Sequence, residues 1–214
     1  FSWRMMINKR LKAIADLVPG NSCVIDIGTD HAYIPIYLYQ NNITKDITAT
    51  DISSRVLESS LNNLKKYNLD KRVPLILSDG FENITKLYDV AIIAGMGTST
   101  IKSILDTTNL PNILIIQSNN DHYELRRYMQ DLGYKIDKEE VVKDGKHYYV
   151  IIRYKKGSDN LEESELLFGK SKNREYYEYL VEHYNYIYSK SHDKRYLNYI
   201  NILQDIIERI PENY

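Results

Sequence analysis

Three features of the 214-residue sequence predict an α/β domain with a doubly wound, mainly parallel sheet, followed by an α-helical hairpin. First, five short and nearly all-apolar runs, "CVIDIG", "DITATDIS", "VPLILSD", "DVAIIAGMG" and "NILIIQSNN", alternate with helical patterns. Short apolar strands separated by helices imply a sheet covered on both faces. Second, the first run ends at a single glycine, Gly28, followed by Asp30, His31 and Tyr33 where a nucleotide-binding turn usually continues with glycines. Third, the composition changes near residue 160, after "KKGSDN", where Pro and Gly almost vanish.

The elements follow in order. Leu11, Ile14, Ala15 and Val18 mark a short amphipathic helix that Pro19-Gly20 ends. After the second run, "SRVLESSLNNLKKYNL" repeats Val56, Leu57, Leu61, Leu64 and Tyr67 at helical spacing. Beyond the fifth run, "YKIDKEEVVKDG" and "KHYYVIIRYKK" read as two strands joined at Asp144-Gly145, an antiparallel hairpin closing one sheet edge. Tyr177, Leu180, Tyr184 and Ile187, then Tyr196, Ile200, Leu203, Ile207 and Ile210, recur every three or four residues on either side of "KSHDK". Two antiparallel helices with a coiled-coil-like seam would bury both stripes, with the tyrosines as seam filling. Residues 5–157 are thus expected to form one domain and 158–214 a helical one.

Net charge is −1, but residues 1–157 carry 21 Lys and Arg against 18 Asp and Glu, and the remainder 7 against 11. A mildly basic first part permits a polyanionic partner. Cys23 is the single cysteine, which excludes an internal disulfide, and no apolar run reaches the length of a membrane span. With no signal peptide in view, a cytoplasmic protein is expected. Phe1 to Arg4, ahead of Met5 and Met6, read as a segment added for expression.

Ligands of doubly wound sheets sit at the carboxyl ends of the central strands. A pyrophosphate there favours G-x-G-x-x-G, whereas Thr29, Asp30, His31 and Ala32 follow Gly28, and a carboxylate repels phosphate. S-adenosylmethionine, with an ammonium, a sulfonium and a ribose diol but no phosphate, meets the constraint. Asp26 and Asp30 are placed to engage its cationic amino-acid end, and Gly28 allows close backbone approach. Asp51, 23 residues after Gly28, stands where an acid hydrogen-bonds a ribose. Asp79, with Gly80 making the turn, is placed to face the adenine amine. Gly95 and Gly97 open the exit of the fourth strand. Ile27, His31, Ile52, Ala94 and Met96 complete the expected cofactor set, His31 being equally readable as a helix-start residue and Met96 as packing.

"DIGTDHAYIP", with "AGMGTSTIKSIL", "LIIQSNND", "LRRYMQDLGYKI" and a helical extension, closely resembles the bacterial tRNA (adenine-N1)-methyltransferase family, TrmK, which modifies adenine 22 of the D arm. The resemblance implies a class I, Rossmann-like methyltransferase sheet with an appended coiled-coil-like domain, S-adenosylmethionine as methyl donor and tRNA as substrate. Related sequences commonly read Gln-Pro-Asn where this chain has Gln117, Ser118 and Asn119.

Adenine N1 bears a lone pair and no proton, so catalysis rests on alignment and on stabilising a cationic product. By motif position, Asp30 lies near the reacting groups, Tyr33 either walls the target base or packs under the loop, and Asn119 reads the base's edge. Lys9, Arg10 and Lys12, with Arg126 and Arg127, are candidate phosphate contacts. Further cations, Lys170, Lys172, Arg174, Lys190, Lys194 and Arg195, gather toward the ends of the acidic hairpin, which is expected to help position tRNA. A monomer or weak homodimer is expected.

Scattered histidines without ligand spacing disfavour a metal site, and Cys23 lacks a basic partner in sequence. A nicotinamide dehydrogenase is disfavoured by the missing glycines. A small-molecule methyltransferase would not need the appended helices. A non-catalytic tRNA-binding protein with a vestigial pocket is opposed by the acids at 26, 51 and 79.

Overall fold

A computed structural model describes residues 5–211; Phe1 to Arg4, and the last three residues of the 158–214 segment, lie outside the described residues. Strands β1 (Val24–Ile27), β2 (Ile47–Asp51), β3 (Leu75–Leu77), β4 (Val90–Met96) and β5 (Ile113–Ser118) are parallel, and β6 (Tyr134–Asp144) and β7 (His147–Lys156) form the antiparallel hairpin. The sheet order is β3-β2-β1-β4-β5-β7-β6, so the returning strand β7 pairs with β5 and β6 takes the edge.

Side chains alternate across the central strands, as a pleated strand requires. Ile25, Ile27, Ala91, Ile93, Leu114 and Ile116 pack on one face under α4 (Thr98–Leu105) and α5 (His122–Asp131). Val24, Ile47, Val90, Ile92 and Ile115 pack on the other under α1 (Lys9–Asp16) and α2 (Tyr33–Gln40). Helix α3 (Ser54–Lys66) covers β2 through Leu64, and Ser53 caps it by accepting from the Val56 amide.

Helix α6 (Glu163–Phe168) precedes the pair α7 (Arg174–Ser191) and α8 (Lys194–Arg209). Tyr177 and Leu203 are fully buried between them, with Leu180, Tyr184, Ile207 and Ile210 packed around and Phe168 closing one end. Tyr184 stacks on Tyr196 at 5.8 Å and meets Tyr199 edge-on at 5.4 Å. The tyrosines of the two stripes are therefore seam residues.

The chain runs from β1 toward β3 on one side and from β4 toward β5 on the other, so the direction of winding switches between β1 and β4. Their carboxyl ends define the crevice in which such sheets bind ligands.

Candidate active site

The loop after β1 carries a backbone that ordinary residues resist. Gly28, Asp30 and Ala32 have φ of +70°, +57° and +58°; for the two non-glycine residues this is a conformation costing about 1 kcal/mol or more each. Helix α3 holds the loop there: Ser60 Oγ donates to the Asp30 carbonyl (2.7 Å), Asn63 Nδ2 donates to the His31 carbonyl (3.1 Å), and Ser59 Oγ bonds His31 Nδ1 (2.9 Å). A Cβ on Gly28 would also strike the Met96 methyl, so Gly28 admits Met96 as well as the turn.

Opposite, β4 bulges. Ala94 pairs with Gln117 and Met96 with Ser118, leaving Gly95 (φ +77°) as the extra residue. Bulges of this kind re-aim backbone groups beside active sites. Here the Gly95 N–H donates to Gln117 Oε1 (3.2 Å) and its carbonyl accepts from Asn119 Nδ2 (3.0 Å).

Loop and bulge face a cavity of about 580 Å³ lined by Asp26, Gly28, Asp30, Tyr33, Asp51, Ala94, Gly95, Met96 and Asn119, together with Asn8, Arg10, Thr29 and Tyr149. Three carboxyl groups, Asp26, Asp30 and Asp51, and the Arg10 guanidinium set its electrostatics. Asp26, 3 % exposed, accepts from Thr29 Oγ1 at 2.6 Å. Burial, reinforced by the charges of Asp51 and Asp30 and partly offset by the Thr29 bond, raises its pKa to about 7. Asp51 accepts from the Ser53 amide at 2.9 Å, which orients it at the end of β2.

The cavity draws together most of the residues expected from sequence, with instructive exceptions. Ile27 lies in the core beneath the loop, and His31 sits at the rim against Ser59 and Tyr33. Ile52 is two-thirds exposed, and Asp79 lines a separate recess with Phe81, Ser103 and Asp106. Gly80 packs on Ile104. Lys9 and Arg127 are exposed, and Lys12 pairs with Asp16 at 2.5 Å. Arg126 requires a correction. It is 1 % exposed and bonds Glu139 (2.7 Å) and the Leu166 carbonyl (3.1 Å), so no phosphate reaches it. Arg10 points into the cavity, its guanidinium 5.4 Å from the Tyr149 ring centroid and bonded to Gln117. Asn8, Thr29 and Tyr149 also line the cavity, and of these only Thr29, within the loop motif, carried a local signal in the sequence.

The departure at Ser118 has a structural compensation. Its buried hydroxyl contacts Thr98 Oγ1 and the Asn120 carbonyl, both at 2.8 Å, and so braces the turn after β5 by hydrogen bonds where a proline ring would brace it covalently.

Residues 7–152 match the family described as "Methyltransferase domain". TrmK of M. capricolum, solved with S-adenosyl-homocysteine, superposes with a TM-score of 0.82 at 35% identity, covering 97% of this chain and 100% of that one. The chain belongs to the TrmK methyltransferase family. The tRNA (adenine(22)-N(1))-methyltransferase of Bacillus subtilis is 30% identical over 154 residues, which is 69% of this chain and 65% of that protein. Sp1610 of Streptococcus pneumoniae, solved with S-adenosyl-L-methionine, matches at 25% identity and a TM-score of 0.84, over 94% of this chain and 100% of that one. The TrmK likeness covers the helical hairpin as well as the sheet.

The residues present fit such a cofactor. A cavity lined by Asp26, Asp30 and Asp51, with bare backbone at Gly28 and Gly95, suits a ligand carrying an ammonium, a sulfonium and a diol. No helix of the described residues is long and apolar enough to cross a membrane, and no cluster of three metal-ligating side chains occurs among them.

Proposed function

We propose that this protein transfers a methyl group from S-adenosylmethionine to N1 of an adenine in the D arm of tRNA, position 22 in the relatives' numbering. The observation that carries this reading is the switch-point cavity, in which three carboxylates and two glycine backbones face Tyr33 and Asn119 across a single space.

Asp26 and Asp30 hold the cationic amino-acid end and Asp51 the ribose, while Gly28, Ala94, Gly95 and Met96 supply the close walls. When bound, the cofactor supplies an electrophilic methyl on a positively charged sulfur. The reaction forms the N1–carbon bond as the sulfur–carbon bond breaks, and the positive charge passes to the base. No proton leaves N1, so no general base is required. Tyr33, at the mouth and one-third exposed, stacks against the target ring. Asp30, exposed beside His31 at 3.4 Å, stabilises the charge arriving on the purine. Residues 5–157 are the catalytic unit and 158–214 position the tRNA, with Lys9 and Arg127 as phosphate contacts. The protein acts in the cytoplasm as a monomer or weak homodimer.

The test is transfer from labelled S-adenosylmethionine to unmodified tRNA transcripts, followed by nuclease digestion and nucleoside mass spectrometry. A 1-methyladenosine mapped to one D-arm adenine is expected. Cofactor binding without transfer to any tRNA would overturn the substrate assignment.

A further inference from the structure

Gln117 is a buried amide with every hydrogen-bonding position used. Its Oε1 accepts from Arg10 Nη1 at 2.8 Å and from the Gly95 amide at 3.2 Å. Its Nε2 donates to the Ser118 carbonyl at 2.9 Å and to Asn119 Oδ1 at 3.1 Å. A guanidinium and a backbone N–H only donate, so the oxygen of Gln117 must face them and its nitrogen must face Asn119. That fixes Asn119 in turn: its Oδ1 faces Gln117 and its Nδ2 donates to the Gly95 carbonyl at 3.0 Å. Among the described residues, one acceptor position on Oδ1 and one N–H on Nδ2 remain unspent, in the cavity wall.

An amide offering one acceptor and one donor is the partner for the N6 and N7 edge of adenine. Contact along that edge leaves N1 free to react. Guanine presents an acceptor at position 6 and would confront the Asn119 oxygen with another oxygen.

Arg10 is anchored for this task. Its backbone N–H donates to Asp144 Oδ2 (3.3 Å), tying α1 to the β6–β7 hairpin, and its guanidinium lies over Tyr149. We infer that Arg10 is a positioning residue, which through Gln117 locks the Asn119 amide in the orientation that selects adenine by its N6 and N7. The inference rests on the tRNA-adenine reading above and assigns Arg10 a role other than phosphate contact.

The experiment compares transfer to tRNA carrying adenosine, purine ribonucleoside (no N6 amine) or 7-deazaadenosine (no N7) at the target position. Wild type should prefer adenosine over each analogue by about 10- to 100-fold, the usual consequence of leaving a site's polar group unpaired. Arg10→Met should lower kcat/KM for adenosine about tenfold or more and reduce that preference to within about threefold. Comparing preference between enzymes cancels the analogues' intrinsic reactivity, as in a double-mutant cycle. Affinity for S-adenosylmethionine, by calorimetry, should stay within about twofold. Gln117→Glu gives a second route. Its carboxylate still accepts from Arg10 but no longer donates to Asn119, so preference should fall while the melting temperature reports on folding. Preference retained in Arg10→Met would overturn the inference, and a shallower salt dependence of tRNA binding beside it would make Arg10 a phosphate contact; a loss of cofactor affinity, or absence of preference in wild type, would equally overturn the inference. Failure of wild type to methylate any tRNA would overturn the tRNA reading itself, and this one with it.

Discussion

Arg126 and Glu139 form an ion pair at 2.7 Å with both side chains 1 % exposed, joining α5 to β6 at the root of the helical hairpin. Arg126 also donates to the Leu166 carbonyl, and Glu139 accepts from the Lys170 amide at 3.0 Å. Gly169, at φ +80°, comes so close that any side chain there would collide with the pair. The junction between sheet and arm is thereby registered by buried charge.

Removing one partner of a buried pair strands the other, at about 3–5 kcal/mol. Arg126→Met and Glu139→Gln should each lower stability in urea by that order, whereas the double replacement by Met and Leu should recover much of it. A loss below about 1 kcal/mol accompanied by weaker tRNA binding would restore Arg126 to the RNA surface.

Asp26 links stability to ligand binding with opposite signs. Its folded-state pKa of about 7 exceeds that of an unfolded carboxyl, so between about pH 4 and 7 the folded state holds a proton that the unfolded state releases. The stability this group contributes is present at the acid end and is lost as pH rises through 7. Asp26→Asn should therefore raise the unfolding free energy of the ligand-free protein at pH 8 by on the order of 2–4 kcal/mol. Cofactor affinity should move the other way. The wild type should bind S-adenosylmethionine more tightly as pH rises from 6 to 7.5, and Asp26→Asn should flatten that rise and weaken binding about tenfold at pH 7.5. Parallel profiles for the two proteins in calorimetry would remove Asp26 from the ammonium site.

Local periodicity made the fold legible. Each parallel strand was a short apolar run closed by an acid, a serine or a glycine, and the α7–α8 seam repeated at three and four residues within one helix. Contacts distant in sequence were not legible. In "LRRYMQDLG", Arg126 and Arg127 look equivalent, yet one points at Glu139 thirteen residues on and the other into solvent. The bond from Arg10 to Gln117 spans 107 residues, and Tyr149 reaches the cavity from the returning strand of the hairpin. Asp79 shows the converse: a strand-end position is visible in sequence, but its side chain lines a recess apart from the cavity, with Phe81, Ser103 and Asp106.

Ser118 braces the turn after β5 through its buried hydroxyl. Deleting its hydroxyl leaves Thr98 and the Asn120 amide without that buried partner, at a cost of about 1–2 kcal/mol. Ser118→Ala should therefore lower the melting temperature and kcat together, because the same turn carries Asn119, while cofactor affinity is preserved. Calorimetry beside a thermal melt separates these effects; a matching loss of cofactor affinity would place the turn on the cofactor's side of the cavity.

Tyr33 and the surface cations act on the same RNA by different physics, and salt separates them. The Tyr33 ring sits at the cavity mouth 5.2 Å from His31, while the Asp26 and Asp51 carboxylates belong to β1 and the end of β2. Tyr33→Ala should remove stacking on one base, about 1–3 kcal/mol or roughly 5- to 150-fold in kcat/KM, with cofactor affinity retained and the salt dependence of tRNA binding unchanged. Lys9→Ala and Arg127→Ala should leave turnover at saturating tRNA intact, weaken binding and reduce the slope of log K against log salt by roughly 0.7–0.9 for each phosphate no longer neutralised. Measuring kcat and Kd at two salt concentrations for all three variants checks both halves. A changed salt slope in Tyr33→Ala, or an unchanged one in both cation variants, would reverse the assignment, because stacking displaces no counterions and neutralising a phosphate must.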